Sequence, residues 1–191
     1  MAKLFFITHP EVVIDPEIPV PHWELSEVGL RRLRSLLQKP WINTIGFTYS
    51  SEETKSLSAG EIIAHHVGSP HVTLVGLGEV DRSSTGYLEI DEHDLAVAEL
   101  FLNPEVSHRG WERAIDAQHR IVSSVELIDA EVENDASIAI VSHGGVGTLL
   151  MCHIKEVPIS RGEAGSGQGN YFCFDRGSWD LVYGWRPIDH D

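Results

Sequence analysis

The chain has 191 residues, 42% of them hydrophobic and 23% charged, and its formal net charge is −15 with neutral histidines. This length and composition are typical of one globular domain, so we expect a single domain over residues 1–191. The acidic balance disfavours nucleic acid and anionic membranes as partners, because like charges repel. No apolar run is long enough to span a bilayer, and the only cysteines are Cys152 and Cys173. Together these features predict a cytoplasmic protein with reduced thiols.

The first half of the chain alternates short apolar runs with segments of helical periodicity. Four prolines lie within residues 10–24, which excludes regular structure there. Ser26 has the side chain of an N-cap, and the leucines after it recur at helical spacing until Pro40. In chain order we predict a strand at 3–8, a helix between Ser26 and Pro40, a strand at 44–49, a helix at 52–66 and a strand at 72–75.

The second half begins with a weak pattern over residues 76–108, within which 88–102 fits a helix. The later predicted elements are an amphipathic helix at 111–132, a strand at 137–142, a helix opened by Gly144-Gly145 and running to 154, a loop rich in Gly and Ser at 158–170, and strands at 171–175 and 179–183. Arg176-Gly177-Ser178 between the last two strands indicates a hairpin. Alternating strands and helices predict an α/β fold with three layers, α/β/α, around a mostly parallel sheet.

Two histidines occupy equivalent places in this predicted fold. His9 directly follows the first strand, and His143 directly follows the strand at 137–142. Ligands of parallel sheets bind outside the carboxyl ends of the strands, so both imidazoles are expected to face one site. After His143, Gly144 and Gly145 open a helix whose first N–H groups can bind an anion. Residue patterns alone also allow both histidines to be ordinary strand-ending residues bonded to loops, and without further motifs they favour that interpretation.

Several short motifs follow one another along the chain. They are Phe5-Phe6-Ile7-Thr8-His9-Pro10-Glu11, Leu25-Ser26-Glu27-Val28-Gly29, Tyr49-Ser50-Ser51 followed by Lys55, Leu77-Gly78-Glu79, Arg120 within the long helix, Val141-Ser142-His143-Gly144-Gly145-Val146 and Asn170. In this order they resemble the motifs of the histidine phosphatase superfamily, which is phosphoglycerate mutase-like in fold. The resemblance covers nearly the whole chain, and its most specific motif is the last but one.

The resemblance implies a mechanism without a metal or cofactor. His9 would attack phosphorus and become a phosphohistidine, and His143 would donate hydrogen bonds to the phosphoryl oxygens. Glu79 would protonate the leaving oxygen and then take a proton from water, with Asp81 as the alternative acid. The expected ligand is a small phosphorylated substrate or inorganic phosphate. We also expect His143 to lie in a solvent-reachable cleft, so that its removal would cost little stability.

The chain departs from the family motif at the residues that would clamp the phosphoryl group. Two arginines are usual, and here they are replaced by Thr8, which offers one neutral hydrogen bond, and Lys55, which offers a point charge without the planar fork. Pro10 replaces a glycine. We expect Thr8, Lys55 and Gly144 to contact phosphate. Arg161 is the preferred substitute for the missing guanidinium, with Arg82 and Arg109 as alternatives.

Three functions are therefore compatible with the sequence. The first is a phosphatase that acts on a small phosphomonoester through His9. The second is a weakened or inactive relative that binds a ligand or protein, which the loss of the leading arginine favours. The third is a phosphoglycerate mutase, which ranks last because basic residues are scarce. The sequence leaves the oligomeric state and the identity of the ester open.

Overall fold

The computed structural model describes residues 2–132 and 135–189. Within these residues, one sheet contains β1 (Lys3–Thr8), β2 (Ile45–Ser50), β3 (His71–Thr73), β4 (Ser137–Ser142), β5 (Asn170–Asp175) and β6 (Leu181–Pro187). The α-helices are α1 (Glu27–Leu36), α2 (Thr54–Val67), α3 (Ile90–Leu102), α4 (Ala114–Glu131) and α5 (Gly144–Ile154).

The strand order in the sheet is β3-β2-β4-β1-β5-β6. The pairs β3–β2, β2–β4 and β4–β1 are parallel, whereas β5 pairs antiparallel with both β1 and β6. The expected α/β fold with a mostly parallel sheet is therefore confirmed. The central strands β1 and β4 are buried along almost their whole length, which explains their nearly continuous apolar sequences.

Two hydrophobic cores lie on opposite faces of the sheet and make the fold three-layered. In β1, Leu4 and Phe6 point to the core shared with α3, α4 and α5, because alternate residues of a strand face opposite sides. Phe5 and Ile7 point to the other core, which α1 and α2 cover.

The start of α1 positions the chain that follows β1. Ser26 is the N-cap, as predicted, and its hydroxyl accepts the N–H of Gly29 at 3.1 Å. A Cβ atom on Gly29 would lie only 2.3 Å from the carbonyl oxygen of Glu11. Glycine is therefore required for the close approach of α1 to the loop that begins at Pro10.

Some predicted boundaries are wrong. The long helix begins at Ala114 rather than at residue 111, and the stretch 158–170 contains a short 3-10 turn at Arg161–Glu163. The last strand starts at Leu181 rather than at 179, because the turn before it extends through Trp179, which has a left-handed φ of 61°. The ring of Trp179 packs 5.3 Å from that of Phe174, so tertiary packing determines where this hairpin turns.

No helix within residues 2–132 and 135–189 is long and apolar enough to cross a membrane.

Candidate active site

The two histidines meet at the carboxyl ends of β1 and β4. These strands are neighbours, with Thr8 paired to Ser142 at their last residues. His9 donates its backbone N–H to the carbonyl oxygen of Ser142 at 3.1 Å, which aligns the two strand ends. The imidazole ring centroids of His9 and His143 are 5.2 Å apart, with 67° between the ring planes. The structure therefore brings together the pair on which the sequence argument depended.

His9 is held in one tautomer. Its Nδ1 lies 2.9 Å from the carbonyl oxygen of Pro10, and since a carbonyl can only accept, Nδ1 carries the proton. The other ring nitrogen, Nε2, then has a free lone pair. Burial, together with the nearby His143, lowers the pKa of His9 to about 3. The ring is therefore neutral and nucleophilic at physiological pH.

His143 is enclosed more completely than expected. The residue is only 1% exposed, so the expectation of a solvent-reachable cleft around its ring is wrong. The Nε2 atom lies 2.7 Å from Ser51 Oγ and 3.2 Å from Glu53 Oε1. Burial lowers the pKa of His143, and the Glu53 carboxylate opposes that shift. His143→Ala would replace the buried ring with a methyl group and leave a cavity, so we expect this variant to be less stable than wild type.

Lys55 lies beside the histidines and is paired. It is 3% exposed, and its Nζ donates to Glu53 Oε2 at 2.5 Å and to the carbonyl oxygen of Val20 at 2.9 Å. Burial alone would raise the pKa of Glu53, but His143 and Lys55 lower it to about 2. The carboxylate therefore stays ionised and neutralises the charge of Lys55.

Glu79 approaches the first turn of α5. Its carboxylate oxygens accept the N–H groups of Gly145 at 2.9 Å and Val146 at 3.0 Å. A Cβ atom on Gly145 would lie 2.5 Å from Glu79 Oε1, so the second glycine of the motif makes room for this carboxylate. Arg120 of α4 binds the carbonyl oxygens of Gly76, Gly78 and Glu79, and this contact positions the loop that carries Glu79.

Asp81, the alternative acid, is exposed and turned to its own loop. Its Oδ1 accepts the backbone N–H of Ser83 at 2.9 Å, and the hydrogen bonds from Ser83 lower the pKa of the carboxyl. The described contacts of the Asp81 side chain do not include either histidine. Of the two acids, Glu79 is the one that shares the start of α5 with His143.

Thr8 does not present its hydroxyl to the histidines. The hydroxyl donates to the carbonyl oxygen of Asn170 at 3.3 Å and accepts the N–H of the same residue at 2.9 Å. Its single proton is therefore already used, and Thr8 is 5% exposed. The expectation that Thr8 offers a hydrogen bond to phosphate is wrong for this conformation, because the side chain joins β1 to the start of β5.

The three candidate arginines lie in different surroundings. Arg161 donates to Asp94 Oδ1 at 2.9 Å with its side chain 48% exposed, and Arg109 contacts Glu92 at 3.4 Å. Arg161 is thus paired at the surface, which contradicts its preferred role. Arg82 contacts His93 of α3, and its charge acts on His143, whose pKa it lowers. Arg82 is the best placed of the three.

Gly144 keeps a free backbone donor at the start of α5. Within the described part of the chain its N–H has no hydrogen-bond partner, and the residue is exposed. A helix N-terminus favours an anion through its first N–H groups and its dipole. In α5 the Glu79 carboxylate already accepts the N–H groups of Gly145 and Val146, which leaves that of Gly144. The donor therefore lies directly next to His143, where an anion could use it.

Glu53 was not predicted from the sequence, and Ser51 was given no role there. Both contact His143 from about 90 positions away in the chain, a separation that no local pattern reveals. The available signal was that β2, a parallel neighbour of β4, ends just before them. Because the carboxyl ends of parallel neighbouring strands lie at the same edge of the sheet, the residues after β2 were expected to lie near the histidines.

Solved structures with the same fold include several phosphatases. Bacillus stearothermophilus YhfR is 20% identical, with a TM-score of 0.79 over 95% of this chain and 96% of that one. A mycobacterial glucosyl-3-phosphoglycerate phosphatase in complex with inorganic phosphate is 16% identical, with a TM-score of 0.77 over 100% of both chains. A mutant phosphoserine phosphatase from Entamoeba histolytica with bound phosphoserine is 16% identical, with a TM-score of 0.74 over 96% of both.

Sequence comparison gives the family. No curated protein sequence matches this chain significantly. The model of the histidine phosphatase superfamily (branch 1), however, matches residues 19–182. That range includes His143, Lys55 and Glu79, whereas His9 lies outside it and owes its place to the geometry described above. The chain belongs to the histidine phosphatase superfamily (branch 1).

Proposed function

We propose that this protein is a phosphatase that hydrolyses a small phosphomonoester through a phosphohistidine at His9. The observation that carries the proposal is the facing pair of imidazoles, with His9 Nδ1 bonded to the Pro10 carbonyl and Nε2 left as a nucleophile. Family membership and phosphatases of the same fold support it.

The proposed reaction has two steps, each of which balances in atoms and charge. In the first, His9 Nε2 attacks phosphorus, the bond from phosphorus to the ester oxygen breaks, and Glu79 gives that oxygen a proton. In the second, water attacks phosphorus, Glu79 takes a proton from it, and the bond from nitrogen to phosphorus breaks. His143, Lys55, Arg82 and the Gly144 N–H stabilise charge on the phosphoryl oxygens.

Turnover of an aryl phosphate at mildly acidic pH tests this proposal. We expect wild-type protein to release the phenol, and His9→Ala to lose at least about 100-fold in kcat because the nucleophile is gone. His66→Ala, which removes an exposed histidine of α2, is the matched control and should behave as wild type. Equal turnover by wild type and His9→Ala would show that His9 is not the nucleophile.

A binding function is the second candidate, and a specific observation favours it. Thr8 is bonded to Asn170, Arg161 to Asp94, and Lys55 is neutralised by Glu53. Each of these contacts occupies a group that would otherwise bind the phosphoryl group, and so lowers the affinity of the site for a doubly charged one. Saturable phosphate binding without turnover of any phosphomonoester would favour this candidate over the phosphatase.

A further inference from the structure

The Glu53 carboxylate joins three parts of the site. Its Oε2 lies 2.5 Å from Lys55 Nζ, and its Oε1 lies 3.2 Å from His143 Nε2. Oε1 also accepts the backbone N–H of Glu79 at 2.9 Å. Because both oxygens are held and the side chain is only 16% exposed, the carboxylate is a rigid component of the site.

The charges around Glu53 nearly cancel. On α2, Lys55 is the cation in contact with it. Burial lowers the pKa of both His9 and His143, and the Glu53 carboxylate opposes that shift at each ring. The loop after β3 adds the Glu79 carboxylate and the guanidinium of Arg82. Two cations and the carboxylates of Glu53 and Glu79 therefore surround the place that the proposed function gives to the phosphoryl group, and Glu79 must take up a proton before it can protonate the leaving oxygen.

A phosphoryl group can carry one or two negative charges. Because the charges of the site nearly cancel, the site distinguishes the singly charged form from the doubly charged form. A phosphomonoester loses its second proton near pH 6, which doubles its charge. The added charge would lie close to the Glu53 carboxylate in a buried environment, where repulsion between like charges is strong. Lys55 cannot offset that repulsion, since Glu53 already neutralises it.

On the basis of the proposed function, we propose that Glu53 determines the charge of the phosphoryl group that the site accepts, so that a singly charged group binds in preference to a doubly charged one. The substrate class is then a phosphomonoester in its monoanionic form, or a phosphoryl compound that carries one charge at neutral pH. Glu53 is a specificity-determining residue in this account, and Lys55 and His143 remain the groups that contact the phosphoryl oxygens.

Calorimetric binding of inorganic phosphate at about pH 5, where it is singly charged, and at about pH 8.5, where it is mostly doubly charged, tests the proposal. In wild type we expect the affinity to fall at least about tenfold between the two conditions. Glu53→Gln keeps the shape and can still accept the Glu79 N–H. We expect it to bind phosphate at least about tenfold more tightly than wild type at the higher pH and only about threefold more tightly at the lower pH, because Glu53 is ionised at both pH values and its repulsion scales with the charge of the ligand.

Glu52→Gln is the matched control, because Glu52 is the exposed neighbour and should leave the wild-type profile unchanged. Glu53→Ala removes the same charge without an amide, and it replaces Glu53→Gln if that variant fails to fold. Equal or weaker phosphate binding by the Glu53 variants at the higher pH would overturn the proposal, as would no binding to wild type or variant. If His9→Ala still turns over substrate while Glu53→Gln binds more tightly, the phosphohistidine route fails and the role of Glu53 stands.

Discussion

At the residue scale, the burial of neutral imidazoles makes the stability of this protein sensitive to acid. The pKa of His9 is about 3 in the folded protein, against about 6.5 in an unfolded chain. Below that upper value the unfolded chain binds a proton that the folded protein does not. The free energy of unfolding is therefore not reduced by this effect above about pH 6.5. It falls as the pH drops from about 6.5 toward 3, the window that the two pKa values define.

We predict that His9→Gln reduces this acid sensitivity. Between pH 7 and pH 5, the free energy of unfolding should fall by about 2 kcal/mol less in His9→Gln than in wild type. Urea titrations at both pH values measure the difference. His66→Gln, a change at an exposed histidine, should retain the wild-type difference. A fall in His9→Gln as large as that in wild type would mean that His9 is protonated normally in the folded protein.

At the element scale, the contact between the loop after β3 and the start of α5 links stability to chemistry. The Glu79 carboxylate accepts two N–H groups of α5. Leaving one of these N–H groups without an acceptor would lower the free energy of unfolding by on the order of 1 kcal/mol. The same carboxyl group, once protonated, is the proposed proton donor to the leaving oxygen. A leaving group of low basicity needs little protonation, so the two roles of Glu79 can be separated by the choice of substrate.

Glu79→Gln should therefore lower kcat by about 100-fold or more for an alkyl phosphate and far less for a nitrophenyl phosphate. The free energy of unfolding should fall by about 1 kcal/mol, because the amide presents a donor to one helix N–H. Steady-state kinetics on both esters and urea denaturation measure these effects. Glu126→Gln, an exposed acid of α4, is the control. An equal loss on both esters would exclude Glu79 as the proton donor.

The same two elements show where sequence patterns suffice. The bounds of β4 and α5 agree with their prediction, because an apolar run followed by His-Gly-Gly carries its signals locally. The loop over residues 76–79 could not be predicted, since its path depends on Arg120, more than 40 positions away. Glu53 was missed for a similar reason, because its contact with His143 crosses from the end of β2 to the end of β4.

At the scale of the whole molecule, the net charge is −15, whereas the ligand of the proposed phosphatase site is an anion. Long-range repulsion slows the approach of anionic ligands and weakens with salt. On the proposed function, the site holds its ligand through short-range contacts, for which we propose the Gly144 N–H, His143, Lys55 and Arg82. The central claim for this arrangement is that it transfers the phosphoryl group to His9.

Trapping the phosphoenzyme tests that claim most directly. After rapid mixing with a radiolabelled aryl phosphate and quenching in base, we predict label on the wild-type protein that is stable to base and labile to acid, as phosphohistidine is. Peptide mapping should place the label on His9, and His9→Ala should carry none. Wild-type protein that turns over substrate without trapped label, or label that persists in His9→Ala, would contradict the account.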